Sequence, residues 1–237
     1  MKAIILSGGK GTRLRPLTDT TPKPMLPIGG KPHLEHIVEL LTENGVDHII
    51  FSVGYLHEQI IEHFGDGSKY GIKIDYKVDG DKPLGTAGAI KNCEEFFEPY
   101  EPFIVFNGDI LTDIDLEWMY FLHILDSQTD RITVALTPVD DPSQFGVAVT
   151  ESDKIKEFIE KPTSLEYGNL INAGIYIMDK EVLKNIPKDK YAMVETDIFP
   201  QYAKKGKLYL YTNDYYWIDI GTHERYRQAN EDFLKKF

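Results

Sequence analysis

The chain has 237 residues, with 38 Asp and Glu against 26 Lys and Arg, for a formal net charge of −12. That length suits one α/β core or at most two, and a hydrophobic share of 42% is too high for a disordered chain. No apolar run approaches the ~20 residues that span a bilayer, no secretory h-region opens the sequence, and the lone Cys93 excludes an internal disulfide or multi-cysteine zinc site, so a cytoplasmic protein is expected.

Lys2–Leu6 reads as a buried strand closed by Ser7-Gly8-Gly9. Leu34, Ile37, Val38, Leu40 and Leu41 fall at helical spacing over 33–44, with Gly45 as the stop. His48–Val53 is the next strand and Leu56–Phe64 a second amphipathic helix. Ile72–Val78 alternates, 86–97 looks helical, and Phe103–Phe106 is a buried strand running into Asn107-Gly108-Asp109. Strands alternating with helices in this way indicate βαβ units and a largely parallel sheet. After residue 125 the rhythm changes. Strands are expected at 132–138, 146–150, 155–159, 171–178, 207–211 and 215–218, helical stretches at 180–185 and 195–204, and a last helix from 222. One α/β domain over 1–237 is the economical reading, with a nucleotide-binding half at 1–125 and a mixed-sheet half at 126–237.

Charge is unevenly placed. Residues 1–31 hold Lys2, Lys10, Arg13, Arg15, Lys23 and Lys31 against Asp19 alone, a net of +5 that leaves −17 for the rest. So acidic a surface repels polymeric nucleic acid, yet a small anion can enter a local basic pocket. The segment Leu6-Ser7-Gly8-Gly9-Lys10-Gly11-Thr12-Arg13-Leu14 is a glycine loop whose N–H groups can turn toward a phosphate. It is neither a Walker loop nor a dinucleotide fingerprint: Gly11 separates Lys10 from Thr12, and Leu14 stands where a small residue is needed. Prolines at 16, 22, 24, 27 and 32 stiffen the continuation and hold Lys23 in a rigid frame suited to a phosphate. His33 and His36 lie one helical turn apart, but no third ligand is evident in sequence, and both read as surface residues.

Residues 8–32, Gly-Gly-x-Gly-Thr-Arg-Leu-x-Pro-Leu-Thr through Pro-Lys-Pro-Met-Leu-Pro-Ile-Gly-Gly-Lys-Pro, resemble the sugar-1-phosphate nucleotidyltransferases. The resemblance continues through Pro83–Gly88, Asn107–Asp109, Phe145–Val147, Ile159–Pro162, Ile171–Gly174 and Trp217–Thr222. It implies a Rossmann-like α/β fold, with a mixed, mostly parallel central sheet flanked by helices and a smaller mixed-sheet sugar-binding portion. It also implies that a sugar 1-phosphate condenses with a nucleoside triphosphate, giving a nucleotide-sugar and pyrophosphate. Arg13 and Lys23 would then be the catalytic cations. Leu6, Gly8, Gly9, Gly11, Thr12, Asp79, Gly85 and Thr86 would bind the nucleotide. Gly146, Glu160, Lys161 and Asn172 would bind the sugar phosphate, while Asp109 and Asp219 would hold Mg²⁺, which usually takes one or two carboxylates plus phosphate oxygens.

The Pro-Leu-Gly-Thr-Ala-Gly form resembles that of mannose-1-phosphate guanylyltransferases. Asp79 supports that choice, because a carboxylate accepts from guanine N1–H and N2–H₂ together; the competing reading is that Asp79-Gly80-Asp81 is an exposed turn. GTP with mannose 1-phosphate is therefore expected. The alternatives are a glucose-1-phosphate thymidylyl- or uridylyltransferase and a heptose-1-phosphate guanylyltransferase. A glycosyltransferase and a regulatory module without catalysis stand further off. Only 15 residues follow Thr222, too few for the C-terminal β-helix of many relatives, so none is expected. The partners are the two substrates, with no nucleic acid and no membrane; a homo-oligomer is left open.

Overall fold

The computed structural model describes residues 1–80, 83–125 and 128–236. In chain order the strands and α-helices are β1 (Lys2–Ser7), β2 (Pro27–Ile28), β3 (Lys31–Pro32), α1 (His33–Glu43), β4 (His48–Val53), α2 (His57–Phe64), β5 (Lys73–Val78), α3 (Gly85–Asn92), β6 (Pro102–Asn107) and β7 (Ile110–Thr112). There follow α4 (Leu116–Leu125), β8 (Ile132–Pro138), β9 (Gly146–Glu151), β10 (Lys154–Glu160), β11 (Leu170–Asp179), α5 (Phe199–Lys204), β12 (Leu208–Tyr211), β13 (Trp217–Asp219) and α6 (His223–Lys236). The chain forms two compact units, and both are discontinuous in sequence. One comprises Met1–Lys82, Phe106–Leu116 and Tyr215–Phe237; the other comprises Pro83–Val105 and Glu117–Asp214. A single cut after residue 125 does not coincide with this division, because the last strand and helix return to the first unit.

In the first unit β4 lies between β1 and β5, parallel to both, in registers such as Ile4↔Ile50 and Ile50↔Asp75. Helix α1 turns Leu34, Ile37, Val38 and Leu41 inward at i, i+3, i+4 and i+7, and all four are buried. Each such side chain contributes roughly 1.5–3 kcal/mol on leaving water, which fixes the helix against the sheet. Pro32 precedes the helix in an extended conformation and Gly45, at φ +78°, follows its end. The short β7 and β13 pair antiparallel, with Asp219 opposite Ile110. Ile28, Leu111, Ile220 and Ala229 form a small core there, flanked by Tyr226 and Phe233 from α6.

The second unit is mixed. Its strands run β11, β8, β12, β10, β9, with only β8 and β12 parallel. A further β9–β11 pairing at Val147↔Ile171 brings the two ends of that series together. The Phe199 ring packs edge-on against Phe158 and Tyr176, each at 5.2 Å, and so ties α5 to β10 and β11. The stretch expected to be helical over 195–204 has two parts, a π-helical turn at Val194–Ile198 followed by α5.

Candidate active site

In the first unit, the glycine loop leaves the carboxyl end of β1. Gly11 has φ +60°, and a β-carbon there would sit 3.0 Å from both Lys23 Cβ and Thr18 Cγ2, so only glycine fits without displacement. Thr18 Oγ1 donates to Gly11 O at 2.9 Å, and Leu14 N donates to the same carbonyl, which holds the turn. The proline-framed segment thus packs Lys23 directly beneath the loop. Thr12 opens a single 3₁₀ turn with Arg13 exposed on it, and Gly9 is exposed beside them.

β6 carries four fully buried residues, Phe103–Phe106, and delivers Asn107-Gly108-Asp109 at its carboxyl end. Gly108 N donates to Leu6 O at 2.9 Å, which holds this turn against the glycine loop. Asp109 is ion-paired with Lys23 Nζ. Burial acts to raise the Asp109 carboxyl, but the Lys23 ammonium outweighs it and holds the group below the ordinary carboxylate range. Ile220 N donates to Asp109 O at 2.9 Å, so the backbone of Asp109 meets the chain immediately after Asp219. Asp219 is buried, at 7% exposure; its Oδ1 accepts from Gly221 N at 2.9 Å and its Oδ2 pairs with Arg225 Nη1 at 2.5 Å. The Arg13 guanidinium lies alongside, with Nη2 3.0 Å from where a Gly221 β-carbon would be.

Two carboxylates are thereby brought together with three cations. Neither acid caps a turn in solvent; each is paired. The donor set is hard oxygen, and among the described residues no group of three or more His, Cys, Asp and Glu forms a metal cage. Two carboxylates completed by phosphate oxygens is the arrangement Mg²⁺ favours, and the hard carboxylate oxygens of Asp109 and Asp219 suit that ion.

Asp79 also belongs to this unit. Its Oδ2 lies 2.7 Å from where a β-carbon on Gly8 would sit, and its buried Oδ1 has no hydrogen-bond partner. Burial raises its carboxyl above the ordinary value. The exposed-turn reading of 79–81 therefore fails at Asp79, while Asp81 lies outside the described residues. His33 needs a correction. It is fully buried, not on the surface, and neither ring nitrogen has a hydrogen-bond partner. Burial pushes its pKa down to about 3, against the opposing pull of Asp109, so the ring is neutral. His36 is part-buried and meets Ile28 O at 2.9 Å.

The other candidates lie in the second unit. Gly146 and Glu160 are register partners on β9 and β10. A β-carbon on Gly146 would meet the Phe158 ring at 2.4 Å and Glu160 Oε2 at 2.9 Å, so a bare backbone is required beneath that carboxylate. Lys161 adopts φ +48°, a left-handed conformation unusual for a side-chain-bearing residue, and its N–H donates to Phe145 O at 2.9 Å. Its ammonium is exposed and 3.1 Å from Glu160 Oε1. Asn172 Oδ1 accepts from Gly174 N at 2.9 Å, and its Nδ2 donates to Tyr176 Oη at 2.7 Å. Gly85, at φ +72°, opens α3, and Thr86 Oγ1 donates to Glu195 Oε2 at 2.9 Å.

Arg225, Tyr176 and Glu195 escaped the reading of the sequence. Arg225 stands in the first turn of an ordinary amphipathic helix, and Glu195 in a segment that reads as a plain helix. No local signal distinguishes either one.

The nucleotidyl transferase family profile matches residues 2–236. The UTP–glucose-1-phosphate uridylyltransferase of Synechocystis is 40% identical over 249 residues, covering 100% of this chain and 64% of that protein. The mannose-1-phosphate guanylyltransferase of Mycobacterium tuberculosis is 38% identical over 236 residues, covering 98% and 64%. This chain thus spans 64% of the length of these two relatives. The crystal structure of HddC from Yersinia pseudotuberculosis complexed with GMP-PN matches with a TM-score of 0.82 at 33% identity, covering 98% of this chain and 99% of that one. A profile that runs almost end to end, over the glycine loop and both aspartates, settles the kinship: the chain belongs to the nucleotidyl transferase family.

Proposed function

We propose that this chain catalyses nucleotidyl transfer to a sugar 1-phosphate. A phosphate oxygen of the sugar 1-phosphate attacks the α-phosphorus of a nucleoside triphosphate; the new P–O bond forms as the bond to pyrophosphate breaks. The nucleophile is already anionic, so no general base is required, and catalysis consists of aligning repelling anions and stabilising the transferring charge. The observation that carries this reading is the joining of Asp109 and Asp219 at one point of the first unit, together with Lys23 and Arg13.

Asp109 and Asp219 would hold Mg²⁺, which when bound offsets negative charge on the phosphates. Lys23 is paired to Asp109, and a phosphate would compete for its ammonium. Arg13 would take the leaving pyrophosphate, and the backbone of Gly8, Gly9, Gly11 and Thr12 the triphosphate. Leu6 holds the turn after β6 through its carbonyl and so supports that loop. In the second unit, Lys161 would pair with the sugar phosphate, while Gly146, Glu160 and Asn172 would meet sugar hydroxyls. Gly85 and Thr86 would contact the nucleotide.

Within this activity, GTP and mannose 1-phosphate are the substrates we favour. The buried, unpartnered Oδ1 of Asp79 is an acceptor with nothing to accept, and guanine presents adjacent N–H donors. Uridylyl transfer to glucose 1-phosphate is the second reading, favoured by the 40% identity to the Synechocystis protein. The test is a pyrophosphate-release screen of GTP, UTP, dTTP, ATP and CTP against mannose, glucose and heptose 1-phosphates. Release with no pair would refute the activity; release with UTP or dTTP in preference to GTP would refute the role of Asp79.

A further inference from the structure

Helix α4 reads Leu-Glu-Trp-Met-Tyr-Phe-Leu-His-Ile-Leu, in which only Glu117 and His123 are neither apolar nor aromatic. A helix that is apolar all round belongs in a core, yet α4 is covered on one side only. Leu116, Met119 and His123 are buried, at i, i+3 and i+7. Trp118, Phe121, Leu122, Ile124 and Leu125 face outward, between 39% and 67% exposed. The helix cannot roll to hide them. On its inner side the His123 ring is held at both nitrogens, Nδ1 against Thr133 Oγ1 on β8 at 2.7 Å and Nε2 against Asp179 Oδ1 on β11 at 3.3 Å. Turning the helix would leave those buried polar atoms unpaired. On the outer side Trp118 and Phe121 stack, with ring centroids 5.2 Å apart and planes 21° from parallel. That contact orders two large side chains before any partner arrives, which lowers the cost of covering them.

We propose that this face pairs with the same face of a second copy of the chain. The outward residues Trp118, Phe121, Leu122 and Leu125 repeat at i, i+3, i+4 and i+7 and so form one stripe. Such a stripe is self-complementary about a two-fold axis. An axis between Phe121 and Leu122 sets Phe121 against Leu122 of the second copy and Trp118 against its Leu125, with the helices antiparallel. Charge selects both the occupant and this direction. Each copy carries a net charge of −12, so two copies repel over most of their surface, and a helix whose only carboxylate is Glu117 is where they can meet. With antiparallel helices the two Glu117 side chains are separated along the pair by ~13 Å at the α-helical rise, more than a Debye length at physiological salt. Parallel helices would put them side by side. Area sets the strength. At roughly 200 Å² for a whole large side chain, the exposed fractions of the five outward residues amount to about 500 Å² per copy. The pair then covers about 1,000 Å² before its polar rim is counted, the lower bound for a specific interface, and a dimer of micromolar affinity follows.

Sedimentation equilibrium of the full chain, from nanomolar to high-micromolar concentration and in low and moderate salt, tests the pairing. The wild type should show a monomer–dimer equilibrium that tightens as salt is added, because screening weakens the repulsion between the acidic copies. Phe121→Glu sets two like charges across the axis and should weaken the dimer by about a hundredfold or more. Leu125→Glu, beside Glu117 of the second copy, should do the same, whereas Leu125→Lys places an ammonium there and should stay within about tenfold of the wild type. Leu122→Asn, a milder change that keeps the test open if a charged variant does not fold, should weaken the dimer by about tenfold. Leu234→Glu, on the exposed end of α6, should leave it unchanged. A wild type that stays monomeric at every concentration would overturn the proposal. A dimer that survives Phe121→Glu, Leu125→Glu or Leu122→Asn unweakened would overturn it too, by assigning the contact to another face. Equal losses from Leu125→Lys and Leu125→Glu would overturn the antiparallel pairing.

Discussion

Replacing His33 with leucine should flatten the acid limb of the stability profile. His33 is fully buried, neither ring nitrogen has a partner, and its pKa falls to about 3. In the unfolded chain the imidazole returns to about 6.5. The folded value is the depressed one, so the stabilising contribution is complete above about pH 6.5 and declines as the pH falls, because the unfolded state then gains a proton that the native state refuses. Between about pH 7 and pH 5 that difference amounts to roughly 2 kcal/mol. The carboxylates that also lose stability in acid do so mostly below this range and are common to both proteins. Removing two unpaired buried nitrogens should leave stability at neutral pH unchanged or slightly improved, since unsatisfied buried groups cost about 1–3 kcal/mol each. Urea unfolding of wild type and His33→Leu at several pH values measures the two slopes. Parallel slopes over that interval would show that His33 is not held neutral by burial, and the reasoning would fail.

Alanine at Asp109 or Asp219 should lower kcat by several orders of magnitude while leaving the fold intact, and excess chelator should abolish wild-type activity; full turnover in chelator would count against the metal. Arg225→Ala leaves Asp219 without its ion-pair partner, so its apparent affinity for Mg²⁺ should rise while kcat falls, as read from metal titrations. Lys161→Ala should raise KM for the sugar phosphate more than for the nucleotide, and equal effects on both would reduce Lys161 to a surface cation. Asp79→Gln should reduce the preference for GTP over UTP by a factor of tens to hundreds, or about 2–4 kcal/mol for a lost charged, bidentate contact; an unchanged ratio of kcat/KM values would exclude contact with the base.

Much of the framework was legible without coordinates. The apolar runs at 2–6, 48–53 and 103–106 specify strands, because a short run of such residues is stable only when buried within a sheet, and all three are strands. The spacing of Leu34, Ile37, Val38 and Leu41 likewise specifies the buried face of α1. Asp109 stood out because it follows a strand directly. The glycines at 8, 9 and 11 did so because close backbone approach leaves a compositional trace. What the sequence left undetermined depends on contacts between distant segments. Nothing local to residues 215–237 indicates that they join the first unit, or that Arg225 closes on Asp219. His33 carries the polar label of a surface residue, and only packing makes it a neutral core ring. Glu195 lies in a stretch whose pattern is helical, yet the π-turn aims it at Thr86, a residue more than a hundred positions away. Local pattern reports how a segment partitions between water and core. Which charges and hydroxyls then meet is decided by how the strands return, because hydrogen bonds and ion pairs act over a few ångströms of space and not along the chain.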